Sequence, residues 1–499
     1  MINSIRYFNE ESIYVFEKLE KSFWENPLKF AELVIGVTKE VHKLGLRIIK
    51  ECLEDTDQLV RDSVVRKKRW YVDRNETKSL ITSLGTVTFT KTLYKNKKTG
   101  ERTYLLDRVM GLEEHERITE DAEAKLLEEA VQTSYRRGGE AASIEDDVTK
   151  QTVKKKIHSL QFPIDQTVPK EKKVVDYLYL EADEDHVSLQ FKEKKGDLEQ
   201  NDFGYKNNCL ISKLVYVHEG IQPESIIENE TGEQKSSKRS ELINPHYFGR
   251  ICAGKENEQF WDEIYSWICN HYDISKIKRI YLNADGGSWI QSAVKRIGGL
   301  TYALDEFHLQ KYIMKLTSHM KDSTTDARKE IYEAIRKNSR KEFKAITERL
   351  KECLETEAGI KRIEDSRDYI LNNWEPARVR VNRETGIIGS STEGHVYHVL
   401  SVRMSTRPMG WSKVGAAKMT ELRVYYLNGG DMLELVRSQK KELPKVAGAE
   451  EVILHANEII QSERNKHAEL GKYVESITHE VSDEIKKEYW YKGLMGKLL

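Results

Sequence analysis

Cysteine is scarce in this chain and never paired. Cys52, Cys209, Cys252, Cys269 and Cys353 are odd in number, scattered, and include no C-x-x-C. That argues against a disulfide framework and a thiolate zinc site, and points to a reducing cytoplasm. Proline is sparse at 8 residues, and no low-complexity or Pro-Gly tract breaks the sequence, which excludes a collagen-like chain or a long linker. No stretch approaches the roughly 18 uninterrupted apolar residues of a membrane span. The segment MINSIRYFNEESIYVFEKLEK carries charges where a signal peptide needs an apolar core, so neither export nor insertion is expected. An excess of one charge is missing too: 81 Lys and Arg stand against 82 Asp and Glu. Attraction to nucleic acid would have to come from local basic clusters.

What is present is charge, at 33% of residues beside 38% hydrophobic, the balance of a soluble globular chain rich in helix. A length of 499 residues allows two to four domains. Residues 1–66 have helical periodicity, as in FAELVIGVTKEVHKLGLRIIKECL. Residues 67–117 comprise a β-hairpin and linker, with Leu84-Gly85-Thr86 as the turn and Lys78, Lys91 and Lys95 expected on the exposed face. Over 118–170 the pattern predicts a helix capped at Thr119 with Ala122, Leu126 and Ala130 inward, a short helix at about 134–142, a turn, and a helix from Thr149 with Val153, Ile157 and Leu160 inward. Lys150, Gln151, Lys154 and Lys155 then point outward, the arrangement of a helix-turn-helix whose second helix contacts DNA. Three-helix packing without a DNA role fits the same pattern. Residues 171–425 read as α/β, in the order three strands, helix, strand, helix, strand, with an all-helical insertion at about 320–380. Residues 426–499 are charged and helical in pattern, and carry no functional signal.

The α/β region opens on YLYLEADEDHVSLQF, in which Glu181, Asp183 and Asp185 would share one face of a strand. Like charges so close repel unless a cation, basic groups or water offsets them. Two further acids have a comparable setting: Asp285 ends the strand IKRIYLNAD before Gly286-Gly287, and Glu393 lies in the small-residue loop SSTEG that opens into a helix. Asp183, Asp285 and Glu393 are 102 and 108 residues apart. Their order matches the acids of an RNase H-like fold, where three carboxylates converge on two divalent cations. Asp185 is a rival first ligand. His395 and His398 have an i, i+3 spacing but no third partner in sequence, and Trp289 and Trp411 suit either base stacking or core packing.

With LEADEDHV, LNADGGSWI, LDEFHL and GSSTEGHVYHVLSVRMSTRPMGWS in that order, behind SYRRGGEAA and KQTVKKKI, the chain resembles the DDE transposases of bacterial insertion sequences. More narrowly it resembles their Lre-type group, an uncharacterised bacterial protein family related to the Mutator-like transposases. The resemblance spans about 65–425 and is most specific around Glu393 to Trp411. It implies an RNase H-like catalytic domain with a helical insertion, Asp183, Asp285 and Glu393 as catalytic and metal-binding residues, and two Mg²⁺ or Mn²⁺ ions. Asp305 and His308 match a supporting D-x-x-H motif. The implied partners are DNA, both the element's terminal inverted repeats and its target, and further copies of the chain assembled on DNA. A non-catalytic DNA-binding regulator or domesticated transposase, and a nuclease on the same fold, are the alternatives.

Overall fold

The structure, a computed structural model, describes residues 2–440 except Glu114, 164–168, 191–198, 201–205, Asn208, 224–225, 229–233, 237–239 and Pro408. The C-terminal region expected to be helical therefore lies, from 441 onward, outside the described residues. The described residues divide into two compact units, one of 2–125, 140–147 and Lys440, the other within 126–139 and 148–439. No helix among the described residues is long and apolar enough to cross a membrane.

In the first unit, α1 (Ile13–Glu25) stops at Asn26-Pro27, where the Asn26 side chain accepts from the Leu28 N–H, and α2 (Phe30–Asp62) runs back. The hairpin of β1 (Trp70–Ile81) and β2 (Thr86–Asn96) pairs from Ile81 opposite Thr86 to Trp70 opposite Asn96, with a bulge at Val72–Arg74. Alternation gives it one apolar face, on which Leu80, Val87 and Phe89 meet Leu46, Ile49 and Leu53 of α2. Lys91 is on that same face, and the expectation that Lys78 and Lys91 are exposed is wrong. The helix α3 (Leu105–Met110) places Asp107 over them, where it pairs with Lys78 at 3.5 Å and with Lys91 more closely still. Burial lowers the Lys91 pKa, and Asp107 opposes that shift. Lys95, at the strand's far end, is exposed. Thr119 precedes α4 (Glu120–Gln132): its carbonyl accepts from the Glu123 N–H at 2.9 Å, and its hydroxyl donates to the Ile81 carbonyl at 3.1 Å.

The second unit begins within α4, and α5 (Tyr135–Ala141) and α6 (Lys150–Ser159) follow in the chain, the latter capped by Thr149, whose side chain accepts from the Thr152 N–H. Such a cap contributes about 1 kcal/mol. Gly139 is needed here, since a Cβ on it would lie 1.9 Å from the Val148 carbonyl oxygen. Val153, Ile157 and Leu160 are buried, as expected of the inward stripe.

Five strands follow: β3 (Tyr177–Ser188), β4 (Cys209–His218), β5 (His246–Arg250), β6 (Arg279–Ala284) and β7 (Leu300–Leu304). Their order across the sheet is β5-β4-β3-β6-β7. β3, β6 and β7 are parallel, whereas β4 and β5 run antiparallel to their neighbours. One face carries Leu178, Leu180, Ala182 and Leu282 against Trp261, Ile264 and Ile268 of α7 (Glu256–His271), all fully buried. At roughly 1.5–3 kcal/mol per large apolar side chain, this layer fixes which way β3 faces, since a slip of one residue would turn its acids onto the apolar layer under α7 instead. The helical insertion is α8 (Glu306–Thr317), α9 (Thr324–Arg336), α10 (Arg340–Glu352), α11 (Glu357–Asn372) and α12 (Trp374–Asn382), packed around Ile313, Ile331, Phe343, Ile370 and Trp374.

Candidate active site at the strand ends

Parallel register brings three acids to one edge. Ala182 lies beside Ala284, and Ala284 beside Leu304, so the next residues along the chain come level: Asp285 and Asp305 just past the carboxyl ends of β6 and β7, and Asp183 beside them within the longer β3. Ligands of α/β sheets collect at such ends. Burial pushes the Asp183 carboxyl up to about 7; the Glu184 N–H, donating to it at 2.8 Å, works against this, Asp285 adds to it, and His308 opposes it. Asp183 thus feels both Asp285 and His308.

The turn after Asp285 is made by Gly286, at φ +99°, where a Cβ would meet the Asn373 amide at 2.5 Å. The Gly287 N–H donates to the Asp285 carboxylate at 3.1 Å, and Tyr369 of α11 donates to its carbonyl. Asp305 caps α8, accepting from both the backbone N–H and the ring Nδ1 of His308 at 3.0 Å. Burial would raise the Asp305 pKa, but the His308 hydrogen bonds outweigh it and leave it lowered; the same contact raises that of His308. Buried Arg380 joins the insertion to this edge, with Nε donating to the Leu304 carbonyl and Nη1 to that of Ile388, both at 2.8 Å, and Nη2 to Asn283.

The three carboxylates on one face of β3 do not share one solution. Glu181 is fully buried, and its Oε2 accepts from Tyr216 Oη at 2.5 Å, the Ser391 N–H at 2.9 Å, Thr392 Oγ1 at 2.8 Å and Ser390 Oγ at 3.2 Å. Burial raises its pKa, yet His218 and Tyr216 more than reverse this and the carboxyl ends below its usual range. Asp185 accepts from Ser405 Oγ at 2.9 Å. Protein donors thus hold Glu181 at Oε2 and Asp185 at one oxygen, while Glu181 Oε1 and Asp185 Oδ2 are buried with no hydrogen-bond partner; of the three, Asp183 is the one that the parallel register brings level with Asp285.

Glu181 also fixes the entry to α13 (Thr392–Val396), the helix that carries Glu393. The Glu393 side chain lies outside the described residues. Among the described residues no group of three or more His, Cys, Asp or Glu is placed to hold a metal ion. Trp289 and Trp411 are core residues, donating to Glu184 Oε2 and the Met404 carbonyl respectively, each at 2.9 Å. His395 stacks on Tyr216 with ring centroids 4.7 Å apart, while the His398 carbonyl accepts from Arg423. On α6, Lys150, Gln151 and Lys155 are exposed and Lys154 is half-buried. Sequence reasoning did not find the anchoring roles of Glu181 and Arg380; the only signal was the Ser390-Ser391-Thr392 run, rich in donors for a buried acceptor.

His308→Ala is expected to slow turnover roughly ten- to a hundredfold, as for a group that orients a ligand from behind, and to leave Mn²⁺ affinity largely intact in calorimetry. Loss of Mn²⁺ binding would make His308 a direct ligand.

Comparison with known proteins places these features in a family. A UPF0236 protein of Caldanaerobacter subterraneus subsp. tengcongensis, its name joining eleven locus designations, is 33% identical over 436 residues, covering 87% of this chain and 85% of the relative. Another from the same organism, named by four, has the same identity and coverage. The "UPF0236 protein in vanSb 3′ region" of Streptococcus gallolyticus is 26% identical, covering 76% and 79%. Among solved structures, the Drosophila P element transposase strand transfer complex matches 58% of this chain and 74% of that one at 10% identity, with a TM-score of 0.16, too low to support any statement on fold or function. The family model described as "Uncharacterised protein family (UPF0236)" matches residues 23–442, and with relatives at this identity over most of its length the chain belongs to that family.

Proposed function

We propose that the chain is the transposase of a bacterial insertion sequence, binding the element's ends and catalysing divalent-metal-dependent cleavage and strand transfer through Asp183, Asp285 and Glu393. The observation that carries this reading is the placement of Asp183 and Asp285 on neighbouring parallel strands at one sheet edge. The strand order β5-β4-β3-β6-β7, antiparallel on one side of β3 and parallel on the other, is that expected of an RNase H-like domain. A relative named for eleven loci supports the reading as well, because a self-moving element leaves copies at many places in a chromosome.

The residues fit a hard cation. Their donors are carboxylate oxygens, and burial and Asp285 disfavour the ionised form of Asp183 more than His308 and the Glu184 N–H favour it, a balance that a cation would reverse. Asp183, Asp285 and Glu393 would hold two Mg²⁺ or Mn²⁺ ions, whose chemistry is to activate water or a 3′-hydroxyl and to stabilise the leaving oxygen. The protein's own part is positional. Arg380 and Tyr369 fix the strand ends, Glu181 fixes the start of α13, and Asp305 orients His308 beside Asp183. Lys150, Gln151, Lys154 and Lys155 supply contacts to DNA.

Thermal unfolding tests the site without its substrate. Mn²⁺ is expected to raise the melting temperature of the wild type, since a ligand at a hundred times its Kd adds about 2.7 kcal/mol, and to leave that of Asp183→Asn unchanged. An equal rise in both proteins would place the ion elsewhere.

A further inference from the structure

Within the second unit, α6 does not present its basic face to open solvent alone. Lys150, Lys154 and His158 line a cleft of about 420 Å³, joined by Arg136 and Arg403, with Tyr135 at its side. The far wall comes from Gln190 and the Met409–Ser412 segment. Among the described residues that line it, none is acidic. In a chain whose formal charge is close to zero, this concentrates positive groups at one concave place. Lys155, on the same helix, is not part of the lining.

Arg403 is buried, donates through Nε to the Ala130 carbonyl at 3.0 Å, and lies 4.9 Å from the Trp411 ring and 5.8 Å from that of Tyr135. Burial, with Arg423 and Arg407 nearby, lowers its pKa to about 10. Burial and Lys154 lower that of His158. Tyr135 Oη is buried with no hydrogen-bond partner. A concave set of basic groups beside an apolar wall at Tyr135 and Met409 suits a ligand with an anionic end and a flat apolar end. The volume falls within the ~300–1,000 Å³ of small-molecule sites, enough for one nucleotide and too little for a duplex.

We propose that this cleft takes an unpaired nucleotide of a DNA strand, its phosphodiester among Lys150, Lys154, His158 and Arg403 and its base toward Tyr135 and Met409. It rests on the reading of the chain as a DNA-handling enzyme, and deepens it: three of the four residues expected on a major-groove helix, Lys150, Gln151 and Lys154, line a site for single-stranded DNA. Only Lys155 remains outside.

The test uses the full chain, a fluorescent single-stranded oligonucleotide and no divalent metal. Combining Lys150→Gln with Lys154→Gln is expected to weaken binding and to lower the magnitude of the log-log salt slope by roughly 1.4, two contacts at about 0.7 each. On the wild type, the oligonucleotide should protect Lys150 and Lys154, but not Lys155, from an amine-acylating reagent, which covers the case in which the double variant does not fold. Equal labelling with and without oligonucleotide, or an unchanged slope in a folded variant, would overturn the proposal. So would displacement of the oligonucleotide by a deoxynucleoside monophosphate of equal affinity, which would make the ligand a free nucleotide. Because no cleavage is measured, a protein that protects these lysines but never cuts DNA would sink the transposase reading and leave the cleft standing. Cleavage and joining with an unprotected cleft would do the reverse.

Discussion

Asp183→Asn, Asp285→Asn and Glu393→Gln should each abolish cleavage and joining of element ends, by a factor on the order of 10⁴ or more, and the triple variant should be no worse than any one of them. Each amide keeps the shape of its acid but loses the charge that holds a hard cation, and without the cation neither water nor a 3′-hydroxyl is activated. Binding to DNA should survive in all four, because the basic residues are on α6 and not at the strand ends. Asp185→Asn is the comparison: Asp185 lies beyond the register that brings Asp183 level with Asp285, and one of its oxygens accepts from Ser405, so its loss should cost far less activity. A Glu393→Gln protein that joins ends at a normal rate would require another acid in the set.

The second large effect is expected at Glu181. Replacing it with Ala leaves the Tyr216 and Thr392 hydroxyls and the Ser391 N–H without their shared buried acceptor, a change that costs about 3–5 kcal/mol when one member of such a buried network is removed. Its lowered pKa sets the pH dependence. A carboxyl depressed in the folded state contributes stability that is complete above its unfolded value near 4.3 and is lost as pH falls through the folded value. Glu181→Gln should therefore flatten the acid limb of stability against pH while changing little at neutral pH beyond the loss of charge-assisted hydrogen bonds. Activity should fall in Glu181→Ala, where the entry to α13, and with it Glu393, is no longer fixed to β3. Denaturant titration of Glu181→Ala with an unchanged midpoint would contradict this role.

Which of these features the sequence shows depends on how far apart the interacting residues are. The alternation in YLYLEADEDHVS is local, so β3 and the shared face of Glu181, Asp183 and Asp185 could be read directly. The acid after each of β6 and β7 is equally local, and parallel pairing then aligns Asp183, Asp285 and Asp305. The division of labour on that face was not legible, because Glu181 meets its donors 35 residues further along at Tyr216 and 209 to 211 residues further along at Ser390 to Thr392. Lys91 shows a different limit. Alternation says which residues share a face but not which face is later covered, and its partner Asp107 belongs to a helix that the hairpin pattern does not predict. On α6 the outward side chains were identified correctly, but the wall they face comes from Gln190 and residues near 410, which no spacing within the helix reveals.

Incubating the wild-type chain with Mg²⁺, DNA carrying the ends that flank its gene, and a second labelled duplex tests the central claim most directly. The account predicts strand breaks at the element ends that leave 3′-hydroxyls, followed by covalent joining of those ends to the second duplex, both lost on chelation. Breaks without joined products would make the protein a nuclease on this fold. Intact DNA at every metal and end sequence, with end binding retained, would contradict the catalytic reading and leave a DNA-binding regulator.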